Sequence, residues 1–143
     1  MKKTTLTESF VTSSQSETEK IAFDFADKIK SPAVITLEGE LGAGKTAFAR
    51  GLINGLGKEG TVSSPTFGIV NEYKTEKGQA AHFDLYRVSD NETLEMAGFF
   101  DYIEKAVVIV EWPDIVRSEL GENVIEVTIR QLQNNNREIT IKR

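Results

Sequence analysis

The 143-residue chain has no cysteine, one histidine, one tryptophan and three prolines. Without cysteine there is no disulfide framework, no thiolate zinc or iron–sulfur centre and no cysteine nucleophile. His82, standing alone, rules out a His-rich metal site and argues against a His-centred triad. Basic charge is also short. Seventeen Lys and Arg against 22 Asp and Glu leave a formal net charge of −5, the wrong sign for non-specific nucleic-acid binding through a basic face. Any contact with nucleic acid is therefore expected to be indirect. Long hydrophobic runs are missing as well. The longest, Ala106 to Val110, falls far below the roughly 18 residues of a membrane helix. Lys2 and Lys3 are followed by no apolar stretch of the signal-peptide kind. The expectation is a cytoplasmic protein with no membrane partner. No repeat, linker or low-complexity segment divides the sequence, so residues 1–143 are expected to form a single domain.

Hydrophobic spacing outlines the elements. Ile21, Ala22, Phe25, Ala26 and Ile29 make one apolar face of a helix. Its start has capping-box spacing at either Ser14/Glu17 or Ser16/Glu19, and Ser31-Pro32 ends it. Ala33 to Leu37 reads as a buried strand. Thr46 to Leu56 reads as a helix with Phe48, Leu52, Ile53 and Leu56 inward, closed by Gly55 and Gly57. Thr61 to Pro65 reads as a loop, and Phe67–Tyr73 with Ala80–Leu85 as a hairpin turning near Lys77-Gly78. Ser89 with Glu92 opens a short helix through Ala97, which Gly98 separates from Phe99–Ile103. Ala106 to Val110 is a second buried strand. Val124–Ile129 and Glu138–Ile141 flank Asn134-Asn135-Asn136 as a terminal hairpin. Together these predict a three-layer α/β fold with a mixed parallel and antiparallel sheet and a C-terminal hairpin.

Gly39-Glu40-Leu41-Gly42-Ala43-Gly44-Lys45-Thr46 matches the phosphate-binding pattern G-x-x-x-x-G-K-[ST] in full, after a strand and before a helix. The glycines let backbone N–H groups converge on phosphate oxygens, and the helix N-terminus adds partial positive charge. Lys45 is a point charge for the terminal phosphates, and the Thr46 hydroxyl is a magnesium ligand. The fold is thus read as that of a P-loop NTPase, with Glu40, Leu41, Gly42, Ala43, Gly44, Lys45 and Thr46 holding ATP. A second magnesium carboxylate is needed at the end of another buried strand, and Glu111 follows Val107–Val110 there.

Two further segments carry chemistry. In His82-Phe83-Asp84-Leu85-Tyr86-Arg87 the residues His82, Asp84 and Tyr86 share one strand face and Phe83 and Leu85 the other. Asp84 either orients or deprotonates an attacking water, or pairs with Arg87. His82 reads as a packed, hydrogen-bonded side chain. Ser63-Ser64-Pro65-Thr66-Phe67 is hydroxyl-rich and follows the P-loop, as nucleotide-sensing segments do; Ser64 and Thr66 are its candidate switch residues, against a plain turn. The Asn-Lys-x-Asp guanine signature and the Leu-Ser-Gly-Gly-Gln transport signature are absent, and the arginines do not cluster into a kinase lid. Besides an ATPase, a nucleotide-dependent binding switch and a small-molecule kinase are the alternatives.

The ordered set of 39–46, Ser-Pro-Thr-Phe at 64–67, His-Phe-Asp-Leu-Tyr-Arg at 82–87 and Val-Glu-Trp-Pro at 110–113 resembles the bacterial TsaE (YjeE) ATPases of tRNA threonylcarbamoyladenosine synthesis. The resemblance spans Ser16 to about Pro113. It implies weak ATPase activity alone, ATP and Mg2+ as cofactors, and TsaD and TsaB as partners that carry out the tRNA modification and are reset by hydrolysis. It gives Lys45 and Asp84 catalytic roles and Thr46 and Glu111 the metal. Trp112 is set near the nucleotide or the partner, against ordinary core packing, and Thr12 to Thr18 on the adenine side. The last thirty residues match no motif.

Overall fold

Ala33–Glu38 and Val107–Glu111 are the two segments apolar at nearly every position, and the computed structural model, which describes residues 6–40, 42–62, 68–121 and 123–143, sets them side by side at the centre of one sheet. In chain order the elements are β1 (Thr7–Thr12), α1 (Gln15–Phe25), β2 (Ala33–Glu38), α2 (Lys45–Gly55), β3 (Lys58–Val62), β4 (Val70–Thr75) and β5 (Gly78–Asp84). Then come α3 (Asn91–Met96), α4 (Phe99–Lys105), β6 (Val107–Glu111), β7 (Val124–Gln131) and β8 (Arg137–Lys142). The strand order is β1-β8-β7-β2-β6-β5-β4-β3. The middle four, β7-β2-β6-β5, are parallel, and each flank is an antiparallel wing. Strands covered on both faces carry few polar side chains, which explains the unbroken apolar runs.

One face of the sheet packs against α1 and α2 through Phe25, Ile29, Phe48, Leu52, Ile35, Ile109 and Ile139. The other packs against α3 and α4 through Val34, Phe83, Leu94, Phe99, Val108 and Val110. Each fully buried Phe or Leu contributes about 1.5–3 kcal/mol. The three layers and the mixed sheet are as the sequence predicts. The two helices on the first face lie close. A Cβ on Gly51 of α2 would collide with the backbone carbonyl of Glu19 in α1. Among the described residues no helix is long and apolar enough to cross a membrane.

Local details differ from the sequence reading. Lys58–Val62 is an edge strand, so Thr61 and Val62 are not loop; its glycine and charges hide the β pattern, and pairing with β4 supplies it. The N-terminal segment forms β1 against β8, a partner more than 120 residues away that no local pattern announces. Of the two caps for α1, Ser14 is used: its Oγ accepts from the Glu17 N–H at 3.1 Å, and the Glu17 carboxylate accepts from the Ser13 N–H at 2.6 Å. The α-helix stops at Phe25 and tightens to a 3-10 turn over Ala26–Lys28, before Ser31-Pro32 is reached. Asp90, not Ser89, caps α3, its carboxylate accepting from both the Thr93 N–H and hydroxyl. Those two bonds hold the Asp90 carboxyl below the usual carboxylate range.

Candidate functional site

Parallel strands end on the same edge of a sheet, and a crevice outside those ends is where open α/β sheets bind ligands. Here β2 runs into the glycine-rich loop, β6 ends at Glu111 and β5 at Asp84, with Leu37 opposite Glu111 and Asp84 opposite Glu111 in register. Residues up to 70 chain positions apart are thereby brought to one cleft of about 470 Å³, lined among others by Gly42, Gly44, Lys45, Thr46, Asp84, Glu111 and Trp112. Its size lies in the range of small-ligand pockets.

The loop enters α2 through Gly44 at φ +113°, a conformation that side chains rarely adopt. Lys45, the first residue of α2, is 5% exposed. Its ammonium donates to the carbonyl of Gly39 and, at 3.1 Å, to that of Glu40. It also sits 4.0 Å from the centre of the Trp112 ring. Burial pushes the Lys45 ammonium below its ordinary value, while the Glu111 and Asp84 charges oppose that shift. Trp112 takes a left-handed backbone at φ +60°, which costs about 1–2 kcal/mol for a residue with a Cβ. That turn carries its ring over Lys45 and to 4.9 Å from the Tyr86 ring. Trp112 is therefore a wall of the cleft and not core packing.

Glu111 is 5% exposed, and its Oε2 lies 2.6 Å from Nε2 of His82. Asp84 accepts the Tyr86 N–H at 3.1 Å and makes no ion pair with Arg87 among the described residues. Phe83 and Leu85 point into the second core, as the alternation on this strand predicts. Magnesium takes one or two protein oxygens and leaves the rest of its shell to phosphates and water. A buried Glu111 carboxylate with a single partner and a Thr46 hydroxyl on the same cleft fit that demand, and a cage of many ligands is not required.

The other expected residues fall in different places. Thr12 is 2% exposed, its hydroxyl bonded at 2.8 Å to that of Thr18, so it stands behind the cleft wall. Its neighbours Ser13, Ser14, Gln15 and Thr18 form that wall instead. Glu40 is exposed and offers its carbonyl, not its carboxylate. Ala43 packs in the first core while its carbonyl faces Arg137. Leu41, Ser64 and Thr66 lie outside the described residues. Sequence reasoning missed Arg50, Asn135 and Arg137, all on the cleft. Arg50 stands one helical turn after Thr46, a spacing that would have found it. Asn134 and Asn135 take φ near +60°, a conformation Asn tolerates better than most, and so fold the hairpin tip back.

A model of the family described as "Threonylcarbamoyl adenosine biosynthesis protein TsaE" matches residues 12–139. A relative from Rickettsia typhi, named tRNA threonylcarbamoyladenosine biosynthesis protein TsaE, is 36% identical over 131 residues, 91% of each chain. One of the same name from Aquifex aeolicus is 38% identical over 132 residues, 91% of this chain and 92% of its own. The crystal structure of Bacillus subtilis YdiB superposes with a TM-score of 0.76 at 30% identity, covering 99% of this chain and 88% of that one.

Proposed function

The chain belongs to the TsaE family, and from that premise we propose that it binds and hydrolyses ATP with magnesium in the service of threonylcarbamoyl modification of tRNA adenosine. It acts on the TsaD–TsaB complex, resetting it between turnovers, in the cytoplasm. The relatives' names support the pathway. What carries the ATPase reading is one observation: the P-loop lysine, a buried carboxylate and a second, oriented carboxylate meet at the carboxyl ends of three adjacent parallel strands.

In this reading the terminal phosphates take the α2 N-terminus, whose partial positive charge and N–H groups suit an anion. Lys45 exchanges the carbonyls of Gly39 and Glu40 for phosphate oxygens. Thr46 and Glu111 would hold magnesium, which would supply positive charge against the negative charge of the phosphates. Asp84, held by the Tyr86 N–H, orients the water that attacks the γ-phosphorus as the bond to the bridging oxygen breaks. His82 keeps the Glu111 carboxylate in place. The net charge of −5 offers tRNA no basic face, so the effect on tRNA passes through the protein partners.

The decisive measurement is steady-state ATP turnover by the chain alone and with TsaD–TsaB. Slow hydrolysis alone, accelerated by the complex and coupled to repeated rounds of tRNA modification, is expected. A complex that neither forms nor alters hydrolysis overturns the proposal, and phosphate found on an added hydroxyl compound points to a kinase.

A further inference from the structure

We propose that Arg137, the first residue of β8, is a positioning residue for the phosphate-binding loop and makes the terminal hairpin a structural part of the nucleotide site. Its guanidinium donates from Nε to the Ala43 carbonyl at 3.0 Å and from Nη2 to the Gly42 carbonyl at 3.4 Å. Through Nη1 it also reaches the carbonyls of Asn135 and Asn136, at 3.0 and 3.3 Å. One rigid fork thus ties two successive carbonyls of the loop to the hairpin tip, across 94 and 95 positions of sequence. Donors spent on four backbone carbonyls make this side chain a staple and not a direct phosphate ligand.

The consequence follows from peptide geometry. In a planar trans peptide the C=O and the N–H point in opposite directions. Holding the Ala43 carbonyl toward Arg137 therefore turns the Gly44 N–H to the opposite side of the loop. Holding the Gly42 carbonyl does the same for the Ala43 N–H, which closes a turn onto the Glu40 carbonyl at 3.0 Å. Left-handed glycines at 42 and 44 leave these peptide planes otherwise free to rotate. The hairpin backs the loop at a second point as well, since a Cβ on Gly39 would collide with the carbonyl of Ile129 in β7. Lysine has the same charge but no planar fork, so it cannot serve both carbonyls.

This inference rests on the reading that the loop binds nucleotide phosphates. Its test compares the full-length wild type with Arg137→Ala and Arg137→Lys, measuring ADP affinity by calorimetry and, without nucleotide, the amide NMR signals of Ala43 and Gly44. Both variants are expected to lose about 10–100-fold in ADP affinity, by analogy with the loss seen when a group that orients a metal's ligands is removed. Both are expected to shift the Ala43 and Gly44 amide signals while those of β2 and β6 stay put. Wild-type affinity in Arg137→Lys means that charge alone matters and overturns the proposal, as do unmoved amide signals. If Arg137→Ala does not fold, Arg137→Lys decides by the same two readings. A wild type that binds no ADP fails the nucleotide reading itself, whatever the variants do.

Discussion

Lys45 is held in a self-satisfied state, its ammonium on two loop carbonyls and under an indole ring. On the proposed function, phosphate has to outcompete those partners, which it would do as a charged acceptor for a partly desolvated cation. Lys45→Ala should weaken ATP binding by about 1.5–3 kcal/mol, the worth of a charged hydrogen bond, in calorimetric titration; normal affinity would contradict the P-loop assignment. Glu111 acts differently. Glu111→Ala should lower ATP affinity measured with magnesium far more than affinity measured in EDTA. Equal losses in the two buffers would remove its metal role and leave only its bond to His82. At this scale the residue types were legible, because phosphate and magnesium chemistry demand Gly, Lys, Thr and a carboxylate in a set order. Arg137 was not. Its loop partners are 94 and 95 positions away, and nothing near it in sequence marks a ligand.

Helices and central strands were readable for a related reason: their apolar spacing is imposed locally by the face each must bury. The edges were not, since β1 and β3 owe their extended form to pairing with β8 and β4 and little to their own composition. Capping chemistry was half visible. Spacing proposed two starts for α1, and only the folded chain shows Ser14 and Glu17 making the bonds. The contact of α1 with α2 yields a prediction whose sign propensity alone gets wrong. Gly51→Ala gains about 1 kcal/mol of helix propensity but forces a methyl into the Glu19 carbonyl. Overpacking against backbone costs about 1–3 kcal/mol or more. Net destabilisation is therefore expected, read as a lower denaturation midpoint with an unchanged m-value.

Across the whole molecule the cleft is assembled from the start of α1, the P-loop and α2, the ends of β5 and β6, and the tip of the β7–β8 hairpin. A ligand bound there bridges segments that separate on unfolding, so it stabilises the entire fold. ADP at a hundredfold over its dissociation constant should add about 2.7 kcal/mol and raise the thermal midpoint by several degrees in calorimetry. A midpoint indifferent to ADP would mean that the cleft does not take the nucleotide. The sequence by itself determined the class of fold, and it proposed the loop for phosphate and the carboxylates to answer it, because hydrophobic period and ligand chemistry are both written in local spacing. Only the tertiary structure decided that Trp112 covers Lys45, that His82 holds Glu111, and that the terminal hairpin braces the loop through Arg137. Those contacts join residues distant in sequence, and they exist only once strand pairing has brought the strand ends together.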